Sequence, residues 1–114
     1  MKHRIFTTPF ADVYALYVAK LERKGCSKKE LHEVIHWLTS HTEAALKKHL
    51  IKKTTVEDFF AAARMNSKCK LITGSVCGVK VQEVTDPLMR KIRYLDKLVD
   101  ELAKGRPLDK VLRS

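Results

Sequence analysis

Apolar positions recur along this chain with the spacing of helices. Phe10, Val13, Tyr14, Tyr17 and Leu21 share one helix face, which Thr8 and Pro9 open, with Pro9 at the first helical position, and Gly25 closes. Leu31, Val34, Ile35 and Leu38 form a second stripe. Ser27 and Glu30 have capping-box spacing before it, and Cys26 and Leu31 are placed for a hydrophobic staple. Ser40 with Glu43 predicts a third start ahead of Ala45, Leu46 and Leu50, and Thr54 with Glu57 a fourth ahead of Phe59, Phe60 and Ala63. Asp86 and Pro87 open the longest stripe, Leu88, Ile92, Leu95, Val99 and Leu102, with Tyr94 and Leu98 beside it, until Gly105 and Pro107 stop it. Leu108, Val111 and Leu112 are spaced for one more turn that docks the C-terminus.

Two stretches break the pattern. Asn66 to Lys70 reads as a polar connection, and residues 71–84 are ambiguous between helix and strand. Val76, Val79 and Val81 favour a strand, and Gly74 and Gly78 disfavour a helix. No second alternating run is evident to pair with such a strand, whereas Cys77, Val81, Val84 and Leu88 fit helical spacing, so helix is the expectation. The sum is a mainly α fold, a small orthogonal bundle of five or six helices in a single domain over residues 1–114, its core built from the first, second, fourth and last long helices.

The chain's 114 residues, 45% hydrophobic and 32% charged, suffice for one core without a disulfide or structural metal. Neither a signal-peptide run nor a membrane-length apolar stretch is visible. Cys26, Cys69 and Cys77 are odd in number and lack C-x-x-C spacing, which points to free thiols in the cytoplasm. Each is read as a small hydrophobe; only Cys69, between Lys68 and Lys70, has part of the electropositive setting a reactive thiol needs. The net charge of +10 favours a polyanionic partner over a cationic one.

The opening MKHRIFTTPF, the run VYALYVAK from Val13 to Lys20, the block LITGSVCGVKVQEV from Leu71 to Val84, and DPLMRKIRYLDKLVDELAKG from Asp86 to Gly105 resemble the bacterial domain of unknown function family 2200. The resemblance spans nearly the whole chain. It implies a small, predominantly helical bacterial protein and transfers no catalytic residues, and it implies an acidic residue and an arginine where His32 and His36 stand here.

His32-Glu33-Val34-Ile35-His36 matches H-E-x-x-H, in which two histidines on one helix face hold zinc and the glutamate serves as general base. The extended pattern fails: Thr39 and Thr42 occupy the positions of its glycine and third histidine, and His41 comes one residue early. Glu57, the natural further ligand, is already explained as the capping partner of Thr54. A zinc-dependent hydrolase through His32, Glu33 and His36 therefore stands as a secondary alternative, and the favoured expectation has no metal, cofactor or catalytic set.

Lys47, Lys48, Lys52 and Lys53, with Arg90, Lys91 and Arg93, are candidate polyanion contacts if folding brings them together. Charge is spread evenly, with 11 basic and 6 acidic residues through Glu57 and 12 and 7 after it, so each half carries +5. Tyr94 and Leu98 cover either a neighbouring element of this chain, as in a monomer, or a second subunit, as in a homodimer. The leading expectation is a non-enzymatic cytoplasmic interaction module that contacts a protein or a polyanion, nucleic acid being the specific alternative, with no membrane.

Overall fold

A computed structural model describes residues 4–76 and 78–113; Cys77 lies outside the described residues. Its helices are α1 (Phe10–Arg23), α2 (Lys28–Thr39), α3 (Glu43–Lys52), α4 (Val56–Ala61), α5 (Pro87–Ala103) and α6 (Leu108–Val111). Short 3-10 turns cover Arg4–Thr7, Ser67–Leu71 and Val81–Glu83. The fold is mainly α, as the apolar periodicity predicts.

α5 is the spine. It packs against α1, α2, α4 and α6, and its apolar stripe is buried from Ile92 to Leu102, with Leu88 half-buried at the start. Asp86 caps it, accepting from the Met89 N–H at 2.8 Å, with Pro87 in the first turn where its missing N–H costs nothing. Tyr94 and Leu98 are buried too, 7% and 0% exposed, so they belong to the core of this chain and are not available to a second subunit. The capping box of Ser27 and Glu30 is formed in full at the start of α2. Gly25, at φ 78°, lets the chain reverse after α1, and the Cys26 N–H then reaches back to the Leu21 carbonyl at 2.8 Å.

Three predicted starts shift. α1 begins at Phe10, leaving Pro9 extended outside the helix (φ −58°, ψ 133°). The cause is tertiary. The Phe10 N–H donates to the Thr54 carbonyl at 2.7 Å and the Val56 N–H to the Thr8 carbonyl at 2.8 Å, a single β-bridge that ties the starts of α1 and α4 together. That bridge also makes Thr55, not Thr54, the cap of α4, its hydroxyl accepting from the Asp58 N–H. Glu57 is thus not the capping partner of Thr54. α3 is capped by Thr42 rather than Ser40, because Ser40 already closes α2 in a left-handed conformation (φ 64°). Its hydroxyl donates to the Arg64 carbonyl at 2.7 Å, which offsets part of the backbone cost.

The described residues of 71–84 contain no α-helix. Ser75–Val76 pairs antiparallel with Val79–Lys80, as β1 and β2, and a 3-10 turn follows. The partner strand lies within the segment itself. Gly78, at φ 78°, provides the tight reversal that lets four residues fold back, and Val76 and Val81 are buried, with β1 packed on α5. The polar connection at Asn66 to Lys70 is itself mostly a 3-10 turn capped by Asn66.

Phe10, Phe59 and Phe60 form the aromatic centre of the core. Phe10 and Phe59 stack at 3.8 Å, and Phe60 meets them edge-on. Buried apolar side chains form one contiguous cluster reaching from Phe6 to Val111. Among the described residues no helix is long and apolar enough to cross a membrane.

Candidate functional site

The outer face of α2, the turn after it and the start of α3 enclose a groove of about 900 Å³. Its walls include Lys28, Lys29, Glu33, His36, Trp37 and Leu46, with Asn66 and Leu112 closing one side. The H-E-x-x-H residues therefore lie in a concave surface, but His32 is committed elsewhere. Its Nδ1 is 2.6 Å from the Glu43 carboxylate, and its Nε2 is 2.5 Å from the Tyr14 hydroxyl. A carboxylate accepts, so Nδ1 carries the proton and Nε2 accepts a hydrogen bond from the Tyr14 hydroxyl. Both ring nitrogens are spent on joining α1, α2 and α3. A metal bound by His32 would have to break one of these bonds, and among the described residues no three His, Cys, Asp or Glu side chains are grouped to hold a metal ion.

His36 is different. Its Nδ1 lies 3.0 Å from the His41 carbonyl and must donate, which leaves Nε2, among the described residues, as an unused acceptor on an exposed side chain. His41 is buried and donates from Nε2 to the Phe59 carbonyl at 3.0 Å, so it supports the turn and is withheld from a ligand. Its ring meets His49 at 4.8 Å. Burial, followed by the neighbouring His41, Lys52 and Lys48, lowers the pKa of His49 and holds it neutral further into the acid range.

The basic candidates separate into two sets. Lys47, Lys48 and Lys52 line a second, shallower depression of about 320 Å³ with Ala44 and Ile51, and Lys53 is exposed at the end of the same helix. Ile51 is 75% exposed. Among the described residues none of these four lysines has a carboxylate within ion-pair distance. The α5 set is absent from this depression. Arg90 donates from Nε to the Val84 carbonyl at 2.7 Å, and Arg93 pairs with Asp96 at 3.3 Å, so both are engaged in holding the fold. Lys91 is half-buried beside them.

A family model described as an uncharacterized protein conserved in bacteria, DUF2200, matches residues 4–113. The chain belongs to the DUF2200 family. The crystal structure of the uncharacterized protein SP1917 is similar to this DUF2200 chain at 42% sequence identity, with a TM-score of 0.92 over 98% of this chain and 93% of that one. No curated protein matches it.

Within this DUF2200 fold the described thiols are quiet. Burial raises the pKa of Cys69 despite Lys70, Lys91 and Arg90 nearby, and burial, with Glu30, raises that of Cys26. Cys26 and Cys69 are both free, and both pack against the core. Sequence spacing missed the group that ties up His32 at the edge of the groove. Tyr14 is the hydroxyl partner of His32, a pairing between residues that spacing cannot connect. Trp37 did carry a signal: it is a large aromatic beside, not within, the buried stripe of α2.

Proposed function

We propose that this chain is a non-enzymatic cytoplasmic binding module that holds a polyanion, specifically a nucleic acid, on the outer face of α3. The observation that carries this reading is the gathering of Lys47, Lys48 and Lys52 around exposed Ile51 with no carboxylate partner among the described residues. Ammonium groups whose charge is not spent internally can displace the counterions condensed on a phosphate backbone, and the exposed aliphatic side chain adds contact with sugar or base faces. The overall charge of +10 adds long-range attraction.

Fluorescence anisotropy of labelled single-stranded RNA and duplex DNA tests it. If three phosphates are neutralised, affinity falls about 40-fold between roughly 50 and 200 mM salt. Lys47→Glu, Lys48→Glu and Lys52→Glu together abolish binding while leaving the circular dichroism spectrum intact. Binding that is unchanged in this variant, or absent at the lower salt, overturns the reading; capture of an acidic peptide but not of nucleic acid would transfer the face to a protein partner. A zinc-dependent hydrolase through His32, Glu33 and His36 is disfavoured by the engagement of both His32 nitrogens.

A further inference from the structure

The α2–α3 groove is separate from the lysine face of α3 and has its own unspent chemistry. Trp37 is the chain's only tryptophan, half-buried in the groove wall. Its backbone carbonyl accepts from Asn66 Nδ2 at 3.1 Å, whereas its indole N–H has no partner among the described residues and is not sealed from solvent. Leu46 and Leu112 add apolar wall. Lys28 and Lys29 stand at the other end of α2 without ion pairs among the described residues, about 12 to 14 Å from Trp37 along the helix axis at 1.5 Å of rise per residue. Between the two ends lie the exposed Glu33 carboxylate and the free Nε2 of His36, both hydrogen-bond acceptors.

These groups form a sequence along one helix: an aromatic platform, two acceptors, two cations. A complementary ligand has a planar ring, hydroxyl donors next to it, and an anion beyond them. A plain aromatic carboxylate lacks the donors and would place its charge near Glu33 without compensation. We propose that this groove binds a nucleoside monophosphate, with the base against Trp37, the ribose hydroxyls donating to Glu33 and His36, and the phosphate on Lys28 and Lys29. The unit is either a free nucleotide or one residue of a nucleic-acid strand, since the chemistry recognised is the same.

Because Trp37 is the sole indole, its fluorescence reports occupancy directly. Titration with AMP quenches it saturably, and adenosine, lacking the phosphate, binds at least about 10-fold more weakly. Lys28→Ala with Lys29→Ala weakens AMP by about the same factor, and Glu33→Ala removes the preference for AMP over its 2′,3′-dideoxy analogue. The variant with Lys47, Lys48 and Lys52 reversed binds AMP normally, so loss of the α3 reading leaves this one testable. In that variant, displacement of AMP by oligoadenylate identifies a strand as the source, and binding of AMP alone identifies the free nucleotide. Absence of saturable quenching at millimolar AMP overturns the proposal, as does equal affinity for adenosine or for AMP in the Lys28/Lys29 variant.

Discussion

Two lysine- and arginine-bearing helices of this protein, α3 and α5, use their charges in opposite ways. On α5 every acidic side chain within the helix is matched. Asp96 accepts from the Tyr17 hydroxyl and pairs with Arg93; Asp100 pairs with Lys20 and Lys104 at 3.4 and 3.1 Å. Glu101, 7% exposed, receives Arg113 through two nitrogens at 2.5 and 2.8 Å, with Arg106 at 3.3 Å and Lys97 at 4.0 Å. These pairs fasten α1 and the C-terminal segment onto the spine. On α3 the only acid, Glu43, is occupied by His32, and the lysines face solvent. Charge on α5 stabilises the fold; charge on α3 remains available to a partner.

The sharpest way to break that contrast is at Glu101. Glu101→Gln leaves Arg113, Lys97 and Arg106 around a site that no longer carries negative charge, and urea unfolding should show a loss of about 3 kcal/mol, the cost of removing one partner of a buried pair. A loss under about 0.5 kcal/mol would mean the C-terminal clasp is ornamental.

Tyr17→Phe comes next. It removes the hydroxyl that Asp96 relies on, at a cost of about 2 kcal/mol near neutral pH. Burial raises the Asp96 pKa, with Tyr17 and Arg93 pulling it partly back. Since the folded value lies above the unfolded one, the native state holds its proton longer, and Asp96 lowers stability as pH rises through the folded pKa. The penalty of Tyr17→Phe should accordingly be small in acid, where the carboxyl is neutral, and grow as it ionises; unfolding measured from pH 3.5 to 7, on the order of the carboxylate range and above, displays this.

Asp100→Asn probes the same helix at a less buried point. Burial raises the Asp100 pKa, but the hydrogen bonds and charges of Lys104 and Lys20 outweigh it and bring the value below the usual one. A depressed carboxyl contributes stability above its unfolded pKa and loses it as pH falls through the folded value. The variant should lose about 1 kcal/mol at neutral pH, and the difference from the parent should vanish in strong acid. The smallest effect per site belongs to α3: reversing Lys47, Lys48 and Lys52 together should change unfolding by no more than about 0.5 kcal/mol for each site. A large loss there would show that α3, too, spends its charge on the fold.

Which features could be read from the sequence follows the range of the interactions involved. The Ser27–Glu30 box, the Asp86 cap and the α5 stripe depend on residues within one or two turns, and all appear where local pattern predicts them. The caps of α3 and α4 slip because Ser40 and Thr42, and Thr54 and Thr55, are chemically interchangeable. The choice is made by the bridge from Thr8 to Val56 and by the contact from Ser40 to Arg64. The hairpin was hidden because its two strands have two residues each, too short for an alternating pattern to register. In the candidate sites, the α3 lysines were visible as a cluster, yet nothing in their spacing distinguishes them from Arg90 and Arg93, which bind their own fold.

The sequence alone determined that this is a mainly helical chain with α5 as its longest amphipathic element, because periodicity and capping act over a single helix. Tertiary structure decided which polar groups are left over. Among the described residues His32 lost both nitrogens to Tyr14 and Glu43, while Trp37 and the α3 lysines kept theirs and His36 kept one, Nε2. A hydrogen bond or ion pair between distant residues is fixed only when packing brings them within about 3 Å, so the chemistry left for a ligand is a remainder that no local pattern records.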